Sequence, residues 1–450
     1  MAAIIGNRSS GDLSIGVMAL CTVGLLATVL AVAAALYALG RGNGDVVATQ
    51  TAADEAAAGE ARIAFFEARA AADPLDYLSL NVLAGQYLQR GRETGDVADY
   101  QRAEVAATRS LALVSKDNFT GLVLLASVRL VQHDFRSAEE LAAQAKALKP
   151  YDPAPYGLLS DALVGRGQYD DATTALASMV EIDARLPVLS RLAHLAFLRG
   201  DQFNAVDFWR QAIEGGNSLP VENLAWAHVQ LGVTYFALGQ LSDAAAEHEQ
   251  ALELFPEYVH ALAGLGQVRA AQERYDEAID LYSRAVARQP QPQYVAALGD
   301  VYGASGNDAD AADQYALVEA IAALYGDNGI NTDLQIAAYY ADHGIEPALA
   351  LEMARAAYKA APGVYAADVL AWALYQNGDV EQATIYSARA TAWGTSEPAF
   401  YYHAALISEA LGDRTAALAH AERLSELNPR FNPVQAERAQ KLIDELEAAR

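Results

Sequence analysis

The stretch LGVTYFALGQLSDAAAEHEQALELFP, Leu231 to Pro256, is echoed in phase by LGQVRAAQERYDEAIDLYSRAVARQP, Leu265 to Pro290. Leu231 and Leu265, Ala244 and Ala278, Ala251 and Ala285, and Pro256 and Pro290 all keep one spacing of 34 residues. A fixed period of this length marks an array of helix-turn-helix units. In each unit a first helix sets large apolar residues three and four apart on one face. A glycine follows at Gly91, Gly167, Gly200, Gly239, Gly306, Gly378 and Gly412, where a helix C-terminus favours a left-handed residue. The second helix has alanine where two backbones must approach, at Ala138, Ala172, Ala205, Ala244, Ala278, Ala311, Ala350, Ala383 and Ala417. Proline at Pro150, Pro256, Pro290, Pro362 and Pro429 closes that helix and opens the next unit. One such hairpin cannot bury both its faces, so neighbours stack into a continuous core. The fold expected is all-α, a solenoid of helical hairpins.

Working outward, units begin near Tyr77, Phe119, Pro153, Leu186, Ala225, Val259, Pro292, Asn331, Val364 and Pro398, about ten in residues 77–431. Three insertions interrupt the period: Arg92 to Asp96, Gly215 to Pro220, and Tyr325 to Gly329. Insertions in solenoids map to loops. Residues 56–76 read as a half-repeat helix, with Phe66 placed relative to Pro74 as Tyr282 is to Pro290; Arg69 stands where other units have alanine. Residues 432–450 read as a capping helix with Ala439, Leu442, Ile443, Leu446 and Ala449 on one side and charged residues opposite, the polar outer face a terminal unit needs.

The chain has 450 residues and a net charge of −26, with five lysines. Phosphate binding needs a basic face, so nucleic acid is not expected as a partner; the acidity favours basic or neutral ones. Leu13 to Gly40 is free of charge and longer than the roughly 20 residues that span a bilayer. A cleaved signal peptide would carry a shorter apolar region, about 7–15 residues. The division expected is therefore a tail at 1–12, a transmembrane anchor at 13–40 and a linker at 41–55. Arg8 before the span and Arg41 after it nearly balance. A short tail ahead of a long acidic domain puts the tail in the cytoplasm and the repeats outside. Cys21, the single cysteine, lies in the span, so the soluble part has no disulfide.

The recurring Leu-Gly, alanine and proline positions resemble the tetratricopeptide repeat, over about four-fifths of the chain. Asp368 to Tyr375 (DVLAWALY) and Leu427 to Phe431 (LNPRF) are similar to segments of a bacterial group of such proteins. The resemblance implies a binding scaffold with no known activity, a right-handed superhelix whose first helices face a concave groove; the location expected for the anchored chain is the bacterial inner membrane. By that register the groove-facing residues include Asp161, Ser190, His194, Gln267, Asp300, Gln335 and Tyr339, followed by Asp368, Trp372, Tyr375, Tyr402 and, at the edge, His403. The last three units are rich in tyrosine and tryptophan, which suit binding hot spots. Some members of the family clamp a peptide carboxylate with Lys and Asn; the corresponding positions here hold Asp, Ser, Gln and aromatic residues.

None of the eight histidines forms an i, i+4 pair, and no glycine-rich phosphate loop or nucleophile elbow occurs. Asp342-His343 is the most suggestive pair, but adjacent helical residues do not face each other, and a capping or loop role is the simpler reading. No enzyme activity, cofactor or metal is expected. The function expected is a membrane-anchored scaffold that binds a protein or peptide partner in the assembly or organisation of a membrane or envelope complex. The alternative is a binding module for a small molecule or envelope component in the aromatic C-terminal groove.

Overall fold

The computed structural model describes residues 51–183, 185–216 and 220–448. The anchor expected at 13–40, the tail, most of the linker and part of the second insertion lie outside them. Among the described residues there are 22 α-helices and no strand, and no helix is long and apolar enough to cross a membrane.

The helices are α1 (Ala52–Ala72), α2 (Tyr77–Thr94), α3 (Val97–Leu113), α4 (Phe119–Val131), α5 (Phe135–Leu148), α6 (Ala154–Gly165), α7 (Tyr169–Ile182) and α8 (Leu186–Leu198). They continue with α9 (Gln202–Glu214), α10 (Val221–Ala237), α11 (Leu241–Leu254), α12 (Val259–Ala271), α13 (Tyr275–Arg288), α14 (Pro292–Ala304) and α15 (Asp308–Asp327). The last are α16 (Asp333–His343), α17 (Pro347–Ala360), α18 (Val364–Gln376), α19 (Val380–Thr391), α20 (Pro398–Leu411), α21 (Arg414–Glu426) and α22 (Ala436–Ala448). From α2 to α21 they pair as successive antiparallel hairpins, each packed on the next.

Local chemistry sets the turns. Gly167, Gly200, Gly239, Gly306, Gly378 and Gly412 all take positive φ between the two helices of a unit. Asp134, Asp201, Asp379 and Asp413 then cap second helices by accepting a backbone N–H from Ser137, Asn204, Gln382 and Ala416. Every crossing alanine named from the spacing is buried, from 0% exposed at Ala244 to 5% at Ala311. Gly91 departs from the sequence reading: it lies inside α2, and Gly95 takes the left-handed cap at φ 73°. The extra residues of the first unit lengthen the helix. Gly91 instead leaves room for the Tyr100 ring, which a Cβ would approach to 2.9 Å. In two hairpins a non-glycine takes the left-handed turn, His133 and Glu273. Helix α1 starts four residues earlier than the spacing indicated, at a Thr51–Asp54 capping box, and Arg69 reaches Asp76 at 2.8 Å.

A second order of packing closes the solenoid on itself. The left-handed turns lie against loops far along the chain. A Cβ at Gly167 would sit 2.5 Å from the Pro362 carbonyl oxygen, at Gly200 2.0 Å from that of Gly394, and at Gly239 2.5 Å from that of Leu427. Asn428 donates to the Phe236 carbonyl across 192 residues, and His133 Nδ1 lies 2.7 Å from the Asn331 carbonyl across 198. At about 34 residues per unit, one superhelical turn takes a little under six units, and the next turn rests on it. Arg92 and Glu222, both 1% exposed, form a buried ion pair at 2.5 Å between α2 and α10.

Candidate functional site

The inner side of the superhelix carries a partly open axial cavity of about 290 Å³. The first helices of four consecutive units supply most of its wall: Trp226, Val229, Gln230 and Val233 from α10; His260, Ala263 and Gln267 from α12; Tyr294 and Ala297 from α14; Gln335 from α16. The preceding superhelical turn contributes Val97, Tyr100, Val131 and His133, the segment leading into α14 adds Gln289 and Gln291, and the first turn of α14 adds Gln293. The 34-residue period shows in the wall itself, since Trp226, His260 and Tyr294 occupy one position of three successive units. So do Val229, Ala263 and Ala297.

Among the described residues the wall carries no Asp, Glu, Lys or Arg. Burial lowers the His260 imidazole to about 4, so it is neutral at pH 7, and burial shifts His133 in the same direction. His260 Nδ1 lies 2.6 Å from the Tyr294 hydroxyl. Gln289 is 4% exposed, and among the described residues its side-chain oxygen is buried without a partner, as is that of Gln335. The Gln289 side chain is pinned from outside by Gly95, where a Cβ would fall 2.1 Å from its amide carbon.

Of the twelve groove residues read from the register, Gln267 and Gln335 line this cavity. Asp300 and Tyr339 come together elsewhere. Asp300 accepts from the Tyr315 hydroxyl at 2.9 Å and from His343 Nε2 at 2.7 Å, while His343 Nδ1 faces the Tyr339 carbonyl at 2.8 Å. Both ring nitrogens face acceptors, which suits the imidazolium. Burial works against that charge, but Asp300 outweighs it and the His343 pKa is raised. The partner of His343 is therefore Asp300, 43 residues away, and its neighbour Asp342 turns to accept from Gln435 at 3.0 Å.

Asp368, Trp372, Tyr375, Tyr402 and His403 form a third group. His403 Nδ1 meets Asp368 at 2.9 Å. Its ring stacks on Trp372 at 4.3 Å, and Trp372 stacks on Tyr375 at 5.0 Å. These side chains do not line an open groove: Trp372 is 3%, Tyr402 1% and His403 5% exposed. They share one core with Leu442, Ile443 and Leu446 of α22, and Phe431 packs against it. The aromatic surface expected in the last units is thus occupied by the chain's own C-terminal segment, which also joins Asn432 to Asp300 at 3.3 Å.

Asp161 and His194 join neither group. Asp161 pairs with Arg191 through two hydrogen bonds, although burial raises its carboxyl to about 6. Burial lowers His194 to about 3, and its Nε2 has no partner. Among the described residues no group of three or more His, Cys, Asp or Glu is arranged to hold a metal ion. What the cavity can do chemically is bind by hydrogen bonding and stacking. The residues missed were Trp226, His260 and Tyr294; stepping back from Gln267 by turns and periods would have found them.

Residues 229–293, the heart of this wall, match the family model of the tetratricopeptide repeat. That stretch is tetratricopeptide repeat. No curated protein matches the chain. Among solved structures the chain is similar to the APC/C hetero-tetramer Cut9-Hcn1, at 15% identity over 82% of this chain and 80% of that one, with a TM-score of 0.39. It is also similar to yeast Tom70, at 13% identity over 83% of this chain and 96% of that one, with a TM-score of 0.32.

Proposed function

We propose that this protein is a scaffold, anchored in a bacterial inner membrane by residues 13–40 with its repeats outside the cytoplasm, which grips a segment of a partner protein during assembly of a membrane or envelope complex. The observation that carries the reading is the axial cavity, where first helices of successive tetratricopeptide units present one shared wall to whatever enters. Repeats of this kind form extended concave surfaces by stacking, and a segment held by several units is bound through many modest contacts. The anchor raises the local concentration of scaffold and partner on one membrane.

The test is photo-crosslinking from the cavity wall. A photoreactive residue at Gln267 in the membrane-embedded full chain should crosslink a single protein partner in stoichiometric amount. A second at Phe203, 79% exposed on the outside of α9, should not. Equal labelling from both positions, or none from Gln267, sinks the reading. Trp372 and Tyr402 are unsuitable controls, because their truncation would empty a core.

A further inference from the structure

We propose that the outer face of α15 docks a basic amphipathic helix of a partner protein, at a place apart from the axial cavity. Two independent observations carry it: an apolar helix face left uncovered, and the sign of the charge around it.

Helix α15 is apolar on both sides. Ala311 and Val318 are buried on its inner side, and Tyr315, Ile321 and Ala322 pack against the core that contains Val318. Spacings of three and four residues put Ala316, Leu317, Ala320, Ala323 and Leu324 on the opposite side. All five are exposed, Leu317 by 45% and Leu324 by 52%, and none lines the axial cavity. The two preceding units are polar at the matching positions. Six residues on from the crossing alanine, Leu317 corresponds to Gln250 in α11 and Arg284 in α13; five residues on, Ala316 corresponds to Glu249 and Ser283. Helix α15 is also longer, 20 residues against 14 in α11 and in α13, and the added length carries Leu324. A helix apolar all round is ordinarily covered all round, and an apolar patch rimmed by polar residues marks an interaction surface.

Charge decides what covers it. From Gln289 to Ala354 the chain has ten carboxylates and no lysine or arginine. Asp310 and Asp313 stand at one end of the outer face and Asp327 at the other, and among the described residues none of the three is in an ion pair. The arginines of the preceding second helix, Arg284 and Arg288, are drawn to Glu257 instead, at 2.5 and 3.6 Å. A second copy of this chain, at a net charge of −26, would bring like charge to the face, and so would anionic lipid or nucleic acid. A basic segment is attracted. Asp313 and Asp327 are about 21 Å apart along the axis at 1.5 Å per residue. A helix of about four turns therefore matches the face, with leucines set against Leu317 and Leu324 and basic residues at both ends.

The experiment is calorimetric titration of the full chain in phosphatidylcholine nanodiscs, with empty nanodiscs as the blank. The probe is the blocked peptide acetyl-Arg-Lys-Ala-Leu-Gln-Ala-Ala-Leu-Ala-Gln-Leu-Ala-Ala-Lys-Arg-amide, compared with a counterpart carrying Glu for every Arg and Lys. The basic peptide should bind at least about tenfold more tightly than the acidic one. Leu317→Ser with Leu324→Ser should weaken it at least about tenfold, with the melting temperature unchanged because both side chains are exposed. Asp310→Lys, Asp313→Lys and Asp327→Lys together should shrink the ratio of the two affinities at least about tenfold, and this set decides if the serine pair is destabilised. Equal binding of the two peptides overturns the proposal, and so does indifference of the basic peptide to the serine pair. A change from two chains per disc to one in the serine pair assigns the face to a second copy and also overturns it. Crosslinking from Gln267 should be unaltered in every variant; its loss would make the two sites one and overturn the proposal while leaving the scaffold reading intact.

Discussion

Single residues hold this solenoid together in ways their local sequence does not display. Arg92 sits in the first insertion, where a solvated loop is the natural reading, yet its guanidinium is buried against Glu222, Asn223 and Gln89. Removing one partner of a buried pair strands the other. Arg92→Ala should therefore cost about 3–5 kcal/mol in denaturant unfolding, and Arg92→Met with Glu222→Met should recover most of it. A double variant no better than the single would show that packing, not charge, dominates. His403 makes a pH-dependent contribution. Burial disfavours its charged form, but Asp368 and Asp342 more than offset that and hold its pKa up at about 9. Because the folded value lies above the ordinary 6.5, the stabilisation is complete below about pH 6.5 and is lost as pH rises through 9. Its size is on the order of 3 kcal/mol, less whatever the burial of Asp368 returns. Glu397, raised to about 7 by burial, is largely charged by pH 8, so the comparison runs from pH 8 to 10. The wild-type chain should lose stability over that range and His403→Gln should not; parallel losses would remove His403 as the cause.

At the scale of elements, the hairpins were legible because every signal that makes them is local. Helical spacing, a left-handed glycine and a crossing alanine all fall within one unit, and repetition averages out the exceptions. The exceptions themselves have physical reasons: Gly91 follows from the longer α2, and His133 and Glu273 from turns made without glycine. The crossings hold a sharper case. His248 on α11, 1% exposed, lies between α10 and α12, where a Cβ at Gly232 would come within 2.7 Å of its ring and one at Gly264 within 2.3 Å. Gly264→Ala should gain up to about 1 kcal/mol in helix propensity and lose about 1–3 kcal/mol to overpacking, for a net loss. In a His248→Ala background the obstruction is gone, and the same substitution should stabilise. A double-mutant cycle measures that change of sign; an identical effect in both backgrounds would mean the ring simply moves aside.

At the scale of the whole molecule, the candidate site was largely illegible, because residues as far apart in the chain as Val97 and Gln335 build it. The register assigns the first helix of each unit to the inner face. It carries no information on how tightly the superhelix winds, and winding decides whether an inward residue meets solvent, the cavity or a neighbouring turn. Trp372 and Tyr402 face inward and are covered by α22; Gln267 faces inward and stays in the cavity. In an open solenoid each repeat touches only its neighbours and stability is nearly a sum over adjacent pairs. Here the turn-to-turn seam adds contacts between distant units, so breaking it should loosen two regions at once. Glycines provide the comparison. Gly412, at φ 84° with nothing near its missing Cβ, isolates the strain of a left-handed alanine, roughly 1–2 kcal/mol. Gly200, at φ 65°, carries the same strain and in addition would press a Cβ against the Gly394 carbonyl. Gly200→Ala should therefore cost more than Gly412→Ala by a further 1 kcal/mol or so. It should also speed amide exchange around Ser396, whose N–H donates to the Phe197 carbonyl across the seam at 3.1 Å. Equal costs, with exchange at Ser396 unaltered, would mean that the turns lie side by side without holding each other, and the cavity between them would then have to be regarded as open.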